Sequence, residues 1–318
     1  MINNLKINSV KVREYKARWG SCSNKGDISF INKKFDIEEI RSFQGIKKGI
    51  ENTNYLLKSK NKKFILTIFE KRVSKNEIPF FSGNPRNGKV SSFLRINICD
   101  VLISVNYLFL IDKEIINSPR ILAFNVHGSL LPKYRGRTPH VWAIINNETR
   151  TGITAHIIDE GCDTGDIIDQ IEIPILSADT GNCILKKFET YYPEIVISIL
   201  EKIRNDTITT IKQDDSLSTF FVKRTPDDGK IDWDWQCERI FNWVRAQADP
   251  YPGAFAYYKE FKLIIDEIEF SDLGFNCMTQ NGTILSVNPL VVKTSNGTIK
   301  INKHRGVNIV FELNQKLE

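Results

Sequence analysis

The chain has 318 residues, 41% of them hydrophobic and 10% aromatic, which is enough to bury two domain cores and excludes a disordered protein. No apolar run reaches the length of a membrane span, and the N-terminus lacks the apolar stretch of a secretory signal. Six scattered cysteines without a CxxC pair favour reduced thiols in a cytoplasmic protein.

The net charge of +6 is unevenly distributed. Residues 1–90 hold 20 Lys+Arg against 8 Asp+Glu, whereas residues 206–318 hold 13 against 16. Within the basic part, the lysines of Lys58–Lys63 lie between apolar segments at Tyr55–Leu57 and Phe64–Phe69. This pattern is typical of a hairpin with a solvated turn and does not require a nucleic-acid partner.

An α/β pattern follows from residue 91 onward. Compact apolar runs predict strands, and an amphipathic stretch ending at Arg204 predicts a long helix. The predicted strands are Asp100–Val105, Ile121–Asn125, Thr151–Ile158 and Ile167–Ile175, and the predicted helices are Lys113–Asn117, Pro139–Asn146 and Thr180–Arg204. Strands that alternate with helices through short links predict an α/β fold with a Rossmann-like parallel sheet.

Short alternating runs dominate after about residue 206. A helix is predicted at Asp234–Gln247, and the dipeptides Asn281-Gly282 and Asn296-Gly297 favour tight turns between strands. The predicted strands are Ala254–Tyr258, Phe261–Ile265, Thr283–Val287, Leu290–Thr294 and Thr298–Asn302. We therefore expect a small β-rich C-terminal domain.

Three polar residues form the candidate site. Asn125 and His127 are two apart at the carboxyl end of a predicted strand, so they project to one side where open α/β sheets bind ligands. The acidic loop Asp159–Asp166 can bring Asp163 over the same edge. An amide for an oxyanion, an imidazole for proton movement and a carboxylate to orient the imidazole suit acyl transfer.

A structural interpretation stays open for each of these residues. A histidine at a strand end often makes structural hydrogen bonds, and Asp-Thr-Gly-Asp is an ordinary turn composition. The other histidines, His140, His156 and His304, have no comparable neighbours in sequence, and we expect structural roles for them.

The motif around these residues resembles the formyltransferases that use N10-formyltetrahydrofolate. Asn125-Val-His127, then Ser129-Leu-Leu-Pro-Lys-Tyr-Arg-Gly136, then Asp163-Thr-Gly165 carry the resemblance, which covers roughly residues 87–300. It implies catalysis by Asn125, His127 and Asp163, N10-formyltetrahydrofolate as co-substrate, and no metal. It also implies a folate site formed by Tyr107, Leu108, Phe109, Leu110, Ser129, Leu130, Leu131, Pro132, Arg135, Gly136, Asp159 and Gly161.

Within this family the chain looks most like the sugar-nucleotide N-formyltransferases. Lys133-Tyr-Arg-Gly-Arg137 and Phe221–Asp228, followed by Val244-Arg-Ala246 and Asp249–Phe255, carry that choice. The branch implies that Lys133, Tyr134, Lys223 and Arg224 contact the substrate, Lys223 and Arg224 as phosphate contacts. For Arg224 an ion pair with Asp227 or Asp228 is the alternative. The slightly acidic C-terminal part argues against a tRNA partner, which would demand basic charge.

The first 86 residues depart from the family. Formyltransferases open with a strand–helix unit, which we take to be replaced here. Val12–Ser23 with Gly26–Ser29 resembles a fragment of a zinc metallopeptidase family, and Phe43–Leu57 with Lys63–Glu70 resembles homoserine kinases. No His-Glu-x-x-His motif accompanies the first, and the catalytic lobe that the second requires is absent. The predicted domains are residues 1–86, residues 87–205 (catalytic) and residues 206–318 (a helix plus a β-rich domain).

The sequence therefore predicts formyl transfer to a nucleotide-linked amino sugar, such as a 4-amino-4,6-dideoxy sugar used for lipopolysaccharide or another surface polysaccharide. Relatives imply a homodimer, and no membrane or nucleic-acid partner is expected. Two alternatives stay open, namely formylation of methionyl-tRNA and a vestigial fusion protein without catalysis.

Overall fold

The structure is a computed structural model that describes residues 81, 84–105, 107, 109–306 and 309–318, with the backbone of two further strands at 55–59 and 62–67. The peptidase-like and kinase-like fragments and Leu108 of the predicted folate site lie outside these residues, apart from the backbone of those two strands. The elements in chain order are β1 (Tyr55–Ser59), β2 (Lys62–Thr67), α1 (Ser91–Ile96), β3 (Val101–Val105), α2 (Lys113–Ile116), β4 (Leu122–His127), β5 (Arg135–Gly136), α3 (Pro139–Ile145), β6 (Arg150–Ile157), β7 (Ile167–Pro174), α4 (Gly181–Arg204), β8 (Phe220–Phe221), α5 (Cys237–Ala246), β9 (Ala254–Tyr258), β10 (Phe261–Ser271), β11 (Ile284–Val287), β12 (Leu290–Lys293) and β13 (Thr298–Arg305).

The described residues divide into two compact units. The first comprises the described residues up to His127 together with Thr154–Gln170 and Glu194–Ser216. The second comprises Gly128–Ile153, Ile171–Pro193 and Leu217–Glu318. The predicted domain boundaries, after residues 86 and 205, stay a prediction.

The main sheet has the strand order β1-β2-β3-β4-β6-β7. Strands β2, β3 and β4 run parallel to one another, and β6 runs antiparallel to β4. The apolar run of β3 is a core strand, because Val101, Ile103 and Val105 are each at most 4% exposed. Burying such side chains stabilises the fold by about 1.5–3 kcal/mol each. The predicted α/β fold with a parallel sheet is confirmed.

The N-terminal hairpin joins this sheet. Strands β1 and β2 pair antiparallel, as the lysine-rich turn predicts, and β2 pairs parallel with β3, with Ile65 opposite Leu102. The hairpin thus covers the edge of β3 that would otherwise offer unpaired backbone groups to other chains.

The second unit contains an antiparallel sheet of order β11-β12-β13-β10-β9. Helix α5 contributes Ile240 and Val244 to the same buried cluster as Leu263 and Ile265 of β10. The β-rich C-terminal part that the sequence predicts is therefore confirmed, and its core is continuous with α5.

Some boundaries differ from the sequence prediction. Strand β10 runs on to Ser271 because Asp266, which breaks the alternation, is buried against Arg305, and the register shifts around Glu267. The turn between β11 and β12 uses Asn288–Pro289, whereas Asn281–Gly282 precedes β11. The short helix α1 and the two-residue pair β5–β8 are not predicted by the sequence pattern.

Candidate active site

Strands β4 and β6 place three polar side chains on one face of the first unit. Asn125 and His127 are two residues apart on β4 and therefore project to the same side. Asn125 lies directly opposite His156 in the antiparallel β4–β6 ladder, and His127 lies opposite Thr154. Residues directly opposite in such a ladder share a face, so His156 joins the two residues of β4.

The loop between β6 and β7 presents Asp163 to the same group. Asp163 has a φ of +57°, a left-handed conformation that costs energy for a residue with a side chain. The buried amide of Gln213 holds the loop by donating to the Asp163 carbonyl at 2.9 Å and to the Gly165 carbonyl at 2.7 Å. Asp159 closes the loop from the other side, accepting from the Thr164 hydroxyl at 2.7 Å. These contacts hold Asp163 in a defined place.

The side chains of His127 and His156 converge on the Asp163 carboxylate, and Asn125 contacts His156. We call Asn125, His127, His156 and Asp163 the polar cluster. His127 Nδ1 and His156 Nε2 each lie 3.5 Å from Asp163 Oδ1. Asn125 Nδ2 lies 3.2 Å from His156 Nε2. The side chains of His127 and His156 are 8% and 3% exposed, so their interactions with the carboxylate are only weakly screened by water.

His156 is the residue that sequence reasoning missed. The expectation that His156 has no comparable polar neighbours was wrong, because the β4–β6 register places it beside Asn125 and the loop between β6 and β7 places Asp163 next to it. These neighbours follow from the pairing of β4 with β6, which the local sequence pattern does not indicate. Predicting the antiparallel register of β4 and β6 would have found it.

The predicted folate residues of the first unit include an exposed apolar segment. Phe109 and Leu110, which follow β3, are 52% and 54% exposed, and Tyr107 packs edge-on against Phe109 at 5.9 Å. The guanidinium of Arg86 lies 4.6 Å from the centre of the Phe109 ring. Such a segment offers apolar surface to a flat ring, which stays a prediction here.

The predicted folate residues of the second unit form a compact loop. Ser129, Leu131 and Arg135 are buried, and Ser129 Oγ donates to the Lys133 carbonyl at 2.7 Å. Gly136 has a φ of +99° and leaves no room for a Cβ beside the Phe221 carbonyl, because β5 pairs with β8 there. These residues shape the loop backbone, and any contact with folate stays a prediction.

A second group in this unit, which we call the aromatic cluster, comprises Tyr134, Trp142, Phe221 and Arg224. Tyr134 stacks on Phe221 with ring centres 5.0 Å apart and 12° between the planes, and Trp142 packs on Phe221 at 4.9 Å. The buried Tyr134 donates its hydroxyl to Glu148 at 2.7 Å. Desolvation and this hydrogen bond raise the pKa of Tyr134. Tyr134 therefore supports Phe221 through its ring.

Arg224 is held inside the aromatic cluster. Its guanidinium lies 4.3 Å from the centre of the Trp243 ring and 5.1 Å from that of Trp142. Its Nη2 donates to the Asp228 carbonyl at 2.7 Å and to Gln247 Oε1 at 3.0 Å. Arg224 makes these contacts in place of the alternative ion pair with Asp227 or Asp228, and the Asp228 carboxylate accepts from Thr225. Lys133 and Lys223 are exposed.

The polar cluster has the groups that acyl transfer to an amine requires. An amide can donate to an oxyanion, and an imidazole beside a carboxylate can accept and return a proton. Over the part of the chain that the structure describes, no three His, Cys, Asp or Glu side chains are placed to share a metal ion. None of the described helices combines the length and apolar character needed to cross a membrane.

Two separate parts of the chain match known protein families. Residues 56–200 match the family model described as Formyl transferase, and residues 223–307 match Formyl transferase, C-terminal domain. The first match begins in β1, upstream of residue 87, where the motif resemblance begins. The hairpin therefore falls within the family's N-terminal domain.

Three relatives show how far the similarity extends. The bifunctional polymyxin resistance protein ArnA of Wigglesworthia glossinidia brevipalpis is 35% identical over 242 residues, which are 76% of this chain and 36% of that protein. The chain thus spans about a third (36%) of that curated relative. The N-formyltransferase of Helicobacter canadensis, solved with folinic acid and dTDP-3-aminofucose, has a TM-score of 0.51 and 25% identity over 63% of this chain and 72% of its own. A variant of HypX from Aquifex aeolicus shares the fold, with a TM-score of 0.55 and 17% identity over 71% of this chain and 40% of its own.

Proposed function

Because the chain belongs to the formyltransferase family, we propose that it transfers a formyl group from N10-formyltetrahydrofolate to the amino group of a nucleotide-linked amino sugar. The observation that carries the proposal is the convergence of His127 and Asp163 at 3.5 Å beside Asn125 on β4. The Helicobacter canadensis relative supports both ligands, since it was solved with a folate and a nucleotide-linked amino sugar.

The reaction needs one bond formed, one bond broken and one proton moved. The neutral amine attacks the formyl carbon, and the carbonyl oxygen becomes an oxyanion to which the Asn125 amide donates. His127 takes the proton that the amine loses and passes it to N10 of the folate as the carbon–N10 bond breaks. Asp163 faces Nδ1 of His127, so the other ring nitrogen, Nε2, is the one that takes and returns the proton. The carboxylate also stabilises the imidazolium that forms between these two proton transfers.

The second unit supports a nucleotide-linked substrate. Phe221 is half-buried and packs against both Tyr134 and Trp142, so the cluster offers an aromatic surface of fixed orientation against which a planar base can pack. Phosphate contacts fall to the exposed Lys133 and Lys223, since Arg224 already donates to two partners. The excess of Asp+Glu over Lys+Arg in residues 206–318, 16 against 13, disfavours tRNA as the substrate.

A mass-spectrometric screen tests the proposal. Purified protein is incubated with N10-formyltetrahydrofolate and a panel of nucleotide-linked amino sugars, with the nucleotide sugars lacking an amine as matched controls. Formylation of one or more amino sugars is the expected result. Formylation of methionyl-tRNA in place of the sugars would assign the other substrate class, and absence of both products together with no calorimetric heat from a folate analogue would refute an enzyme.

A further inference from the structure

His156 connects two residues of the polar cluster that are far apart in sequence. Its Nε2 lies 3.2 Å from Asn125 Nδ2 and 3.5 Å from Asp163 Oδ1, and its side chain is 3% exposed. The mechanism above assigns it no step. A buried imidazole in this position is unlike His304, which is exposed on β13.

The backbone determines which ring nitrogen of His156 carries the proton. His156 Nδ1 lies 2.7 Å from the carbonyl oxygen of Ile157. A carbonyl can only accept, so Nδ1 is protonated and, in the neutral ring, Nε2 is an acceptor. The acceptor at Nε2 therefore faces the Asn125 side chain.

This acceptor sets the direction of the Asn125 amide. Asn125 can satisfy Nε2 only by presenting its NH₂ group, since the opposite amide orientation would set Oδ1 against the Nε2 lone pair. Over the described residues, this is the hydrogen bond that the structure gives the Asn125 side chain. One amide hydrogen is used by His156, and the second points away from it.

We propose that His156 is a positioning residue for formyl transfer, which fixes the Asn125 amide so that its second N–H donates to the oxyanion. The proposal rests on the function proposed above, because the oxyanion forms only in that reaction. In the neutral ring Nε2 accepts from the Asn125 amide, and the Asp163 oxygen 3.5 Å away, which is also an acceptor, does not compete for that role.

Two substitutions separate positioning from packing. His156→Gln keeps an acceptor at the position of Nε2, whereas His156→Met fills similar space without one. We expect His156→Met to lower kcat about tenfold or more, because a small misplacement of a group that acts in the transition state costs rate, with KM for both substrates within about twofold. His156→Gln should restore most of kcat, and His304→Gln is the matched control.

A double-mutant cycle tests whether His156 acts through Asn125. In the Asn125→Ala background, His156→Met should have little further effect on kcat, since the group it orients is gone. The same fold loss in both backgrounds, or failure of His156→Gln to restore turnover, would overturn the proposal. Thermal midpoints of all variants identify any that simply unfold.

A measurement without turnover keeps this proposal distinct from the proposed function. The ¹⁵N shifts of the His156 ring report its tautomer directly in the intact protein. A protonated Nδ1 and an unprotonated Nε2 are expected, and the opposite tautomer would overturn the positioning role even if formyl transfer is observed. Absence of transfer in the wild-type protein with the expected tautomer would instead refute the function and, with it, the role of His156 in transfer.

Discussion

The polar cluster and the aromatic cluster are built on opposite principles. The polar cluster places two imidazoles around one carboxylate oxygen and an amide beside one of them, at the end of a strand whose register is set by its neighbours. In the aromatic cluster the rings stack on one another, and the polar groups hydrogen-bond to other residues of the chain. Tyr134 donates to Glu148, and Arg224 donates to Gln247. The first is suited to moving protons, and the second to holding a flat ligand in place.

Because of this difference, substitutions in the polar cluster and in the aromatic cluster should change different kinetic constants. Loss of a group that acts in the transition state lowers kcat, whereas loss of a surface that binds ground state and transition state equally raises KM. Substitutions of His127, Asn125 and Phe221 test this separation.

The largest effect is expected from His127→Ala in the polar cluster. Removing the proton carrier should lower kcat by about 10²–10⁴-fold, the usual contribution of general acid–base catalysis. Steady-state kinetics with the amino sugar found by the screen measures it, and thermal unfolding shows that the fold is intact. His304→Ala, on an exposed part of β13, is the control, and near-normal turnover of His127→Ala would remove the polar cluster from the mechanism.

Asn125→Ala should follow, with kcat lower by about 10²–10³-fold, because a preorganised donor to an oxyanion is lost. The reduction should come with little change in KM, as measured by initial rates over a range of both substrates. Asn205→Ala, which removes an exposed amide directly after the C-terminal end of α4, is the matched control. A rise in KM with kcat unchanged would contradict an oxyanion role and would make Asn125 a binding residue.

The buried His140 of α3, outside both clusters, should affect stability. Burial lowers the pKa of His140 to about 4, and its Nε2 lies 2.8 Å from the Tyr251 hydroxyl. The unfolded chain binds the His140 proton more tightly than the folded chain does. The contribution of the neutral, buried His140 to the free energy of unfolding is therefore fully present above the unfolded pKa of about 6.5 and is lost as the pH falls from there towards 4. The loss approaches roughly 3 kcal/mol at pH 4.

Denaturant unfolding between pH 7 and pH 4 measures this slope. His140→Gln, which keeps a polar group for Tyr251 and does not titrate, should show a flatter dependence than the wild type over the same range. Equal slopes for both proteins would show that His140 does not set the acid sensitivity.

The smallest effect is expected from Phe221→Ala in the aromatic cluster. Loss of one stacked ring should raise KM for the nucleotide sugar about tenfold, because stacking on a base is worth about 1–3 kcal/mol, with kcat little changed. Phe270→Ala, which removes an exposed ring on β10, is the control. A fall in kcat without a change in KM would show that the aromatic cluster does not act as a binding surface distinct from the polar cluster.

Much of the fold was predictable because it depends on local pattern. The buried run of β3, the amphipathic length of α4 and the Asn-x-His spacing on β4 are properties of neighbouring residues. The predicted strand Phe261–Ile265 is shorter than β10, which continues through Asp266 because Arg305, 39 residues later, neutralises that buried carboxylate. No local signal reports such a partner.

The sequence by itself determined the family, the strand that carries Asn125 and His127, and the β-rich character of the C-terminal part, since each follows from spacing or motif. Only the tertiary structure decided that His156 joins the polar cluster and that Arg224 is enclosed by Trp142, Trp243 and Gln247. The physical reason is the same in both cases. Strand register and side-chain packing join residues that are distant in sequence, and those contacts depend on the folded chain as a whole.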